Sequence, residues 1–140
     1  MDTNGNLRVL LLKDISSRLP YGIKVQVFGY DEEKGEVAVP LKVYSINTDG
    51  YIFLEYNHYD VESVYIEDCL LYLRPMSSMT KEEKKEFCKI EGRLNFPCKH
   101  IKLTFSVDEF DWLNAHHFDY HGLIKKGLAL EAPEDMYNIK

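Results

Sequence analysis

A change of hydrophobic period at Pro20-Tyr21-Gly22 constrains this chain more than any other feature. Before it, Leu7, Leu11, Ile15 and Leu19 recur every four residues, with Val9 and Leu12 beside the stripe and Arg8, Lys13 and Asp14 away from it. That spacing predicts an amphipathic helix ending by residue 22, since proline disfavours helix in the residue before it and glycine accepts a tight turn. After it, Ile23, Val25 and Val27 alternate with Lys24 and Gln26, the pattern of a strand with one buried face.

The period of two persists to residue 75. A hairpin connection at Asp31-Glu32-Glu33-Lys34-Gly35 leads to a second strand with Val37, Val39, Leu41 and Val43 on one face. Pro40 cannot donate to a ladder, so that strand is expected at an edge or bent by a bulge. Asn47-Thr48-Asp49-Gly50 is a turn by composition, Tyr51 to Tyr56 a third strand, Val64 and Ile66 a fourth, and Leu70 to Leu73 a short fifth. One helix followed by short hairpin-linked strands predicts a small curled antiparallel sheet, with an SH3-like or Sm-like barrel as its closed form.

The remainder reads as helices. Thr80 with Glu83 and Ser106 with Glu109 have the capping-box spacing. The first box opens an exposed helix over 80–91 that buries only Phe87 and Ile90. Between the two, Ile101, Leu103 and Phe105 alternate as a strand. The second box opens a helix carrying Val107, Phe110 and Leu113, followed by a turn at Phe118 and a short helix capped by Asp119, anchored by Leu123 and Ile124 and ended by Gly127. Leu128 to Ala132 returns as a strand, and 133–140 is a tail. The expected architecture is a single α+β domain over 1–140: helix 1–22, sheet 23–75, exposed helix 80–91, strand plus helix-turn-helix corner 99–132.

No apolar span approaches the ~20 residues that cross a bilayer, and the polar N-terminus lacks a basic signal opening. Three cysteines (Cys69, Cys88, Cys98) cannot all pair within one chain, so reduced thiols and a cytoplasmic location are expected.

Chemistry is sparse. His116, His117, Asp119 and His121 sit within six residues, and in a helix His117 and His121 would be four apart on one face, as two zinc-binding imidazoles are. Phe118 stands where the hydrolase form of that motif needs Glu, and a turn is expected there, so the cluster reads as structural and a metal-dependent hydrolase is the rival reading. Cys88, Cys98 and His100 lack the paired short spacings of structural zinc sites. No phosphate loop, dinucleotide fingerprint or nucleophile elbow occurs. Neither a cofactor nor catalysis is expected.

The net charge of −6 disfavours phosphate backbones. Only 81–102 is basic, through Lys81, Lys84, Lys85, Lys89, Arg93, Lys99 and Lys102, and Glu82, Glu83, Glu86 and Glu91 interleave as helical ion-pair partners. A nucleic-acid-binding module built on that segment is a second rival. Tyr44, Tyr51, Phe53 and Tyr56 crowd strands two and three, where they would form an exposed aromatic patch of the kind that takes a partner or a second copy. Trp112, His116, His117, Asp119, Tyr120 and His121 complete the candidate binding residues. A protein-binding role follows from the aromatic strands and the missing catalytic motifs.

Leu71 to Glu83, with Arg74-Pro75-Met76-Ser77-Ser78-Met79-Thr80 at its centre, and Asp111 to Tyr120 through Gly122-Leu123-Ile124, Gly127 to Leu130 and Met136-Tyr137 carry a likeness. In these blocks and in the opening leucine-rich helix with Leu19-Pro20-Tyr21-Gly22, the chain resembles a family of uncharacterised short proteins from gut bacteria and the phages or mobile elements they carry. The resemblance brings no catalytic residue. It implies accessory phage or mobile-element biology, such as a regulator or a counter-defence protein that binds a host component.

Overall fold

The computed structural model describes residues 3–90 and 106–137, with side chains from Leu7 onward. It is α+β. Helix α1 (Thr3–Arg18) runs into a 3-10 turn, Leu19–Tyr21, that Gly22 closes at φ 74°. Then come β1 (Lys24–Asp31), β2 (Gly35–Ile46), β3 (Tyr51–Leu54), β4 (Ser63–Tyr65) and β5 (Leu70–Leu73), then α2 (Lys81–Ile90), α3 (Val107–Ala115) and β6 (Ala129–Glu131). The expected strand at Ile101, Leu103 and Phe105 lies outside the described residues, as do Cys98 and His100.

The strands form one curled half-barrel sheet in the order β4-β3-β2-β1-β5-β6. Neighbours are antiparallel except that β6 runs parallel to β5, pairing Leu71 with Ala129 and Leu73 with Glu131. The inner face is aliphatic: Ile23, Val25, Val27, Val39, Leu41, Val43, Ile52, Leu54, Leu71 and Leu73 close around Leu11 and Ile15 of α1. Full burial of each such side chain contributes about 1.5–3 kcal/mol, which makes this the principal core. A second, aromatic cluster of Phe87, Trp112, Leu113 and Phe118 joins α2 and α3, with Met76, Met79, Ile90 and Tyr120 against it.

Pro40 sits in the middle of β2, and the register explains why it is harmless. The Val43 N–H donates to the Ile23 carbonyl at 3.0 Å, so odd-numbered β2 residues exchange the ladder bonds with β1. Pro40, opposite Gln26, turns its missing N–H outward. β3 pairs with β2 only from Val43 to Ile46, so nothing there needs the donor. The bulge falls later, between Val43 and Ser45, and leaves Tyr44 as the extra residue.

Four expectations need correction. Asp14 is not on the solvent side of α1; it is fully buried together with Arg18. The residues after Asp119 form turns rather than a second helix, because Gly122 and Gly127 take φ 71° and 77° and leave too few residues between them to propagate one. The tail is fastened as far as Tyr137, whose hydroxyl accepts from the Lys24 N–H and donates to the Tyr72 carbonyl, both at 2.9 Å. That hydroxyl stands in the gap where the β1–β5 ladder would otherwise continue. Finally, Cys69 is a free buried thiol that burial pushes up to about 12, while Cys88 is disulfide-bonded. An odd cysteine count forbids complete pairing and nothing more.

Candidate functional site

Three places gather residues able to bind or react, and their local geometry separates them. The first is the corner that follows α3. Ser106 caps α3 with a reciprocal capping box to Glu109, and the chain leaves α3 through His116 and His117. His117 takes φ 63°, in the left-handed region. The three histidines then diverge. His116 stacks on Trp112 at 4.0 Å, and its Nδ1 lies 2.9 Å from the Trp112 carbonyl. His117 stacks on Tyr137 at 3.6 Å, and burial lowers its pKa to about 4, aided by the nearby charge of Arg18. The Nδ1 of His121 reaches 2.7 Å from Asp14 Oδ2. Among the described residues no three His, Cys, Asp or Glu side chains converge as metal ligands.

Each remaining corner residue has a fastening task. Asp119 accepts from the N–H groups of Leu123 and Ile124 at 2.8 and 2.9 Å, shaping the turn. Tyr120 donates to Asn114 Oδ1 at 2.7 Å, and the Arg18 guanidinium lies 4.8 Å from its ring centre. Trp112 Nε1 donates to Glu86 at 2.7 Å, tying α3 to α2. Beneath them, Arg18 donates to both Asp14 oxygens, at 2.6 and 3.1 Å, and to the Phe118 carbonyl at 2.7 Å. The hydrogen bonds from His121 and Arg18 hold the Asp14 carboxyl below its usual range against the opposing effect of burial. Sequence reading missed this pair because charged residues at positions 14 and 18 look like solvent-facing neighbours in a helix. The available signal was phase: both fall within one residue of the Leu11–Ile15–Leu19 stripe.

The second place is a cleft of about 610 Å³ between the start of α2, His116 and the segment after β6. Its most concentrated polar groups already serve the fold. Arg74 makes a two-bond ion pair with Glu83, each bond 2.7 Å. Glu83 also accepts from the Thr80 N–H, Glu86 from Trp112, and Ser78 donates to the Pro75 carbonyl. Glu83 and Glu86, expected as partners of the α2 lysines, also accept these inward bonds. A ligand pocket needs convergent polar groups with spare capacity, and these have largely spent theirs.

The third is the outer face of the sheet. Tyr44 and Tyr56 are 75% and 96% exposed, Phe53 is exposed and Tyr51 half-buried. Tyr51 opposes Tyr65 across β3 and β4, hydroxyl to hydroxyl at 2.5 Å, a bond that raises the Tyr51 pKa. The expected patch is larger and is divided. Phe28 and Tyr30 of β1, which sequence reading passed over, are 58% and 71% exposed. Their signal was aromatic side chains in the polar phase of an alternating strand, in step with Lys24 and Gln26. Phe28 opposes Ala38, six residues along β2 from Tyr44, which is about 20 Å at the strand rise.

That distal group sits on an arm. β5 pairs with β1 only at Val25 and Gln26, and β3 with β2 only from Val43, so the rest of the hairpin extends beyond its neighbours in the sheet. The arm is braced from its inner side. Asn57 Oδ1 accepts from the N–H groups of Tyr59 and Val61, and the loop so formed lays the Tyr59 ring on Gly29. A Cβ at Gly29 would come within 2.9 Å of Tyr59. Asp31 closes the tip by accepting from the Glu33 and Lys34 N–H groups at 2.8 and 3.0 Å.

No protein-family model matches the chain, and neither a curated protein nor a solved structure matches it.

Proposed function

We propose that this chain is a protein-binding accessory module without catalysis of its own, and that the outer face of the β1–β2 arm carries the contact. One observation supports the reading most: Phe28 and Tyr30 stand exposed on a braced hairpin beside Ala38 and Pro40, with no ring or hydrogen-bond partner among the described residues. Large rigid aromatics at low conformational cost are the side chains interfaces favour. The arm's tip holds Asp31, Glu32, Glu33 and Glu36 against Lys34 alone, so the partner is a protein with an apolar surface bordered by basic residues. The likeness of the sequence blocks to short proteins of gut bacteria and their phages or mobile elements makes a regulator or counter-defence factor the biological form of this role.

The test is quantitative retention from lysates of a gut bacterial host, using the intact protein and Phe28→Ser/Tyr30→Ser, followed by affinity measurement on each retained protein after purification. The reading expects a partner whose affinity falls at least about tenfold in the double variant. Equal retention by both forms contradicts it, and a concentration-dependent dimer abolished by the same changes makes a second copy the occupant. The reading keeps the chain in the cytoplasm, where the Cys88 disulfide would have to persist against a reducing thiol pool. Thiol labelling in intact cells checks that placement, since protection of Cys88 by its disulfide there points to an oxidising compartment.

A further inference from the structure

The arm carries, besides its aromatic face, an edge whose backbone is unpaired. With odd-numbered residues of β1 bonded to β2, the N–H and C=O groups of Phe28 and Tyr30 point away from the hairpin. β5 meets β1 at Val25 and Gln26 and then departs, because Ile66–Asp68 turn as a 3-10 helix before Cys69. Among the described residues no backbone or side-chain group bonds to Phe28 or Tyr30 on that side. Proteins normally blunt such an edge with proline, with charge or by keeping it short. The other side of this same hairpin is blunted: Pro40 faces outward there without a donor, and Glu36 shares that edge. The sheet's outermost strands, β4 and β6, are three residues each. The β1 edge carries neither proline nor a charged side chain at Phe28 and Tyr30, though the open stretch is itself short, and Tyr59 packed on Gly29 holds it in place.

We infer that the β1 edge at Phe28–Tyr30 is a strand-addition site that takes an extended segment of the partner protein. The inference rests on the protein-binding reading and names its mode. Main-chain bonds to an edge supply affinity with little regard to sequence, while alternate side chains of the incoming strand are read by the faces they meet. Here one set lies beside Phe28 and Tyr30. Charge selects among segments: Asp31, Glu32 and Glu33 lie at one end of the edge, and the exposed Asp68 precedes the point where β5 meets β1 at the other. The segment is therefore apolar on one face and basic at its flanks. A second copy of this chain would bring Asp31, Glu32 and Glu33 toward another acidic edge.

The experiment uses the full chain, with alternating Lys–Val and Glu–Val heptapeptides as probes and hydrogen exchange of the Phe28 and Tyr30 amides as the readout. The Lys–Val peptide should slow exchange at both amides by about tenfold or more at saturation, and the Glu–Val peptide should not. N-methylation at alternate residues of the Lys–Val peptide should abolish the effect, because it removes the donors a ladder needs. Tyr30→Pro, which takes away one outward N–H at an edge position that tolerates proline, should abolish it too. Three results overturn the inference: no protection by the Lys–Val peptide, equal protection by the N-methylated form, or protection that rises with protein concentration in the absence of peptide. Failure here is separable from failure of the protein-binding reading. If Phe28→Ser/Tyr30→Ser loses the partner while Tyr30→Pro keeps it, the face binds and the edge does not; if neither change affects retention, both fall.

Discussion

The corner after α3 and the β1–β2 arm are both rich in aromatic and polar side chains, yet they spend them in opposite ways. In the corner, Trp112, His116, His117, Asp119, Tyr120 and His121 each meet a partner inside the fold. On the arm, Phe28 and Tyr30 meet none and face solvent. Burial accounts for the difference: the corner is drawn into the fold, and most polar groups taken in with it find partners, His117 Nδ1 and Arg18 Nη1 being the exceptions among the described residues. The arm already buries Val25, Val27, Val39 and Leu41 on its inner side, so its outer aromatics add nothing to the core. The unusual run at 111–124 is spent largely on internal contacts, while an ordinary-looking strand carries exposed aromatic side chains in its polar phase.

That contrast can be broken at the corner first. Asp14→Ala leaves the Arg18 guanidinium buried without its carboxylate, a loss of about 3–5 kcal/mol, and denaturant unfolding should register it as a large drop in midpoint. A change near zero would mean that the corner is not held through this pair.

A smaller effect is expected from His117, with a sign that follows from its environment. Its pKa is about 4 in the folded protein and near 6.5 when the chain is unfolded. The unfolded state therefore binds more protons between those values, and the contribution of neutral His117 is fully present above pH 6.5 and lost as the pH falls toward 4. Over that window it amounts to about 3 kcal/mol at most. His117→Asn, which tolerates the left-handed backbone, should flatten the slope. The buried Asp14 carboxyl is likewise held below its reference pKa, so its contribution is lost only as the pH falls below the ordinary aspartate range.

The smallest stability effect belongs to the arm. Phe28→Ser/Tyr30→Ser should move the unfolding midpoint by an amount equivalent to roughly 0.5 kcal/mol or less per residue, as for other exposed positions. A loss comparable to that of Asp14→Ala would make the arm's aromatics structural and erase the distinction between the two regions.

Much of the architecture was legible because period and burial agree. Ile23, Val25 and Val27 fall on the inner face that their alternation predicts, Leu11 and Ile15 on the buried side of α1, and the Ser106–Glu109 capping box opens α3 where its spacing places it. What sequence could not supply was pairing at long range. The parallel return of β6 beside β5, the hydroxyl of Tyr137 completing a ladder between β1 and β5, and the Asp14–His121 contact all join residues more than fifty positions apart. The arm was hidden for a related reason: whether Phe28 and Tyr30 lie under a neighbouring strand depends on where β5 stops, and no local pattern sets that point.

The most direct measurement of the account is a hydrogen-exchange footprint of the full chain with its retained partner bound. Protection confined to residues 26–40, with amides of the 111–124 corner unchanged, is the predicted result. Protection of 111–124 with the arm still exchanging freely would contradict it and return the histidine corner to the role of binding site.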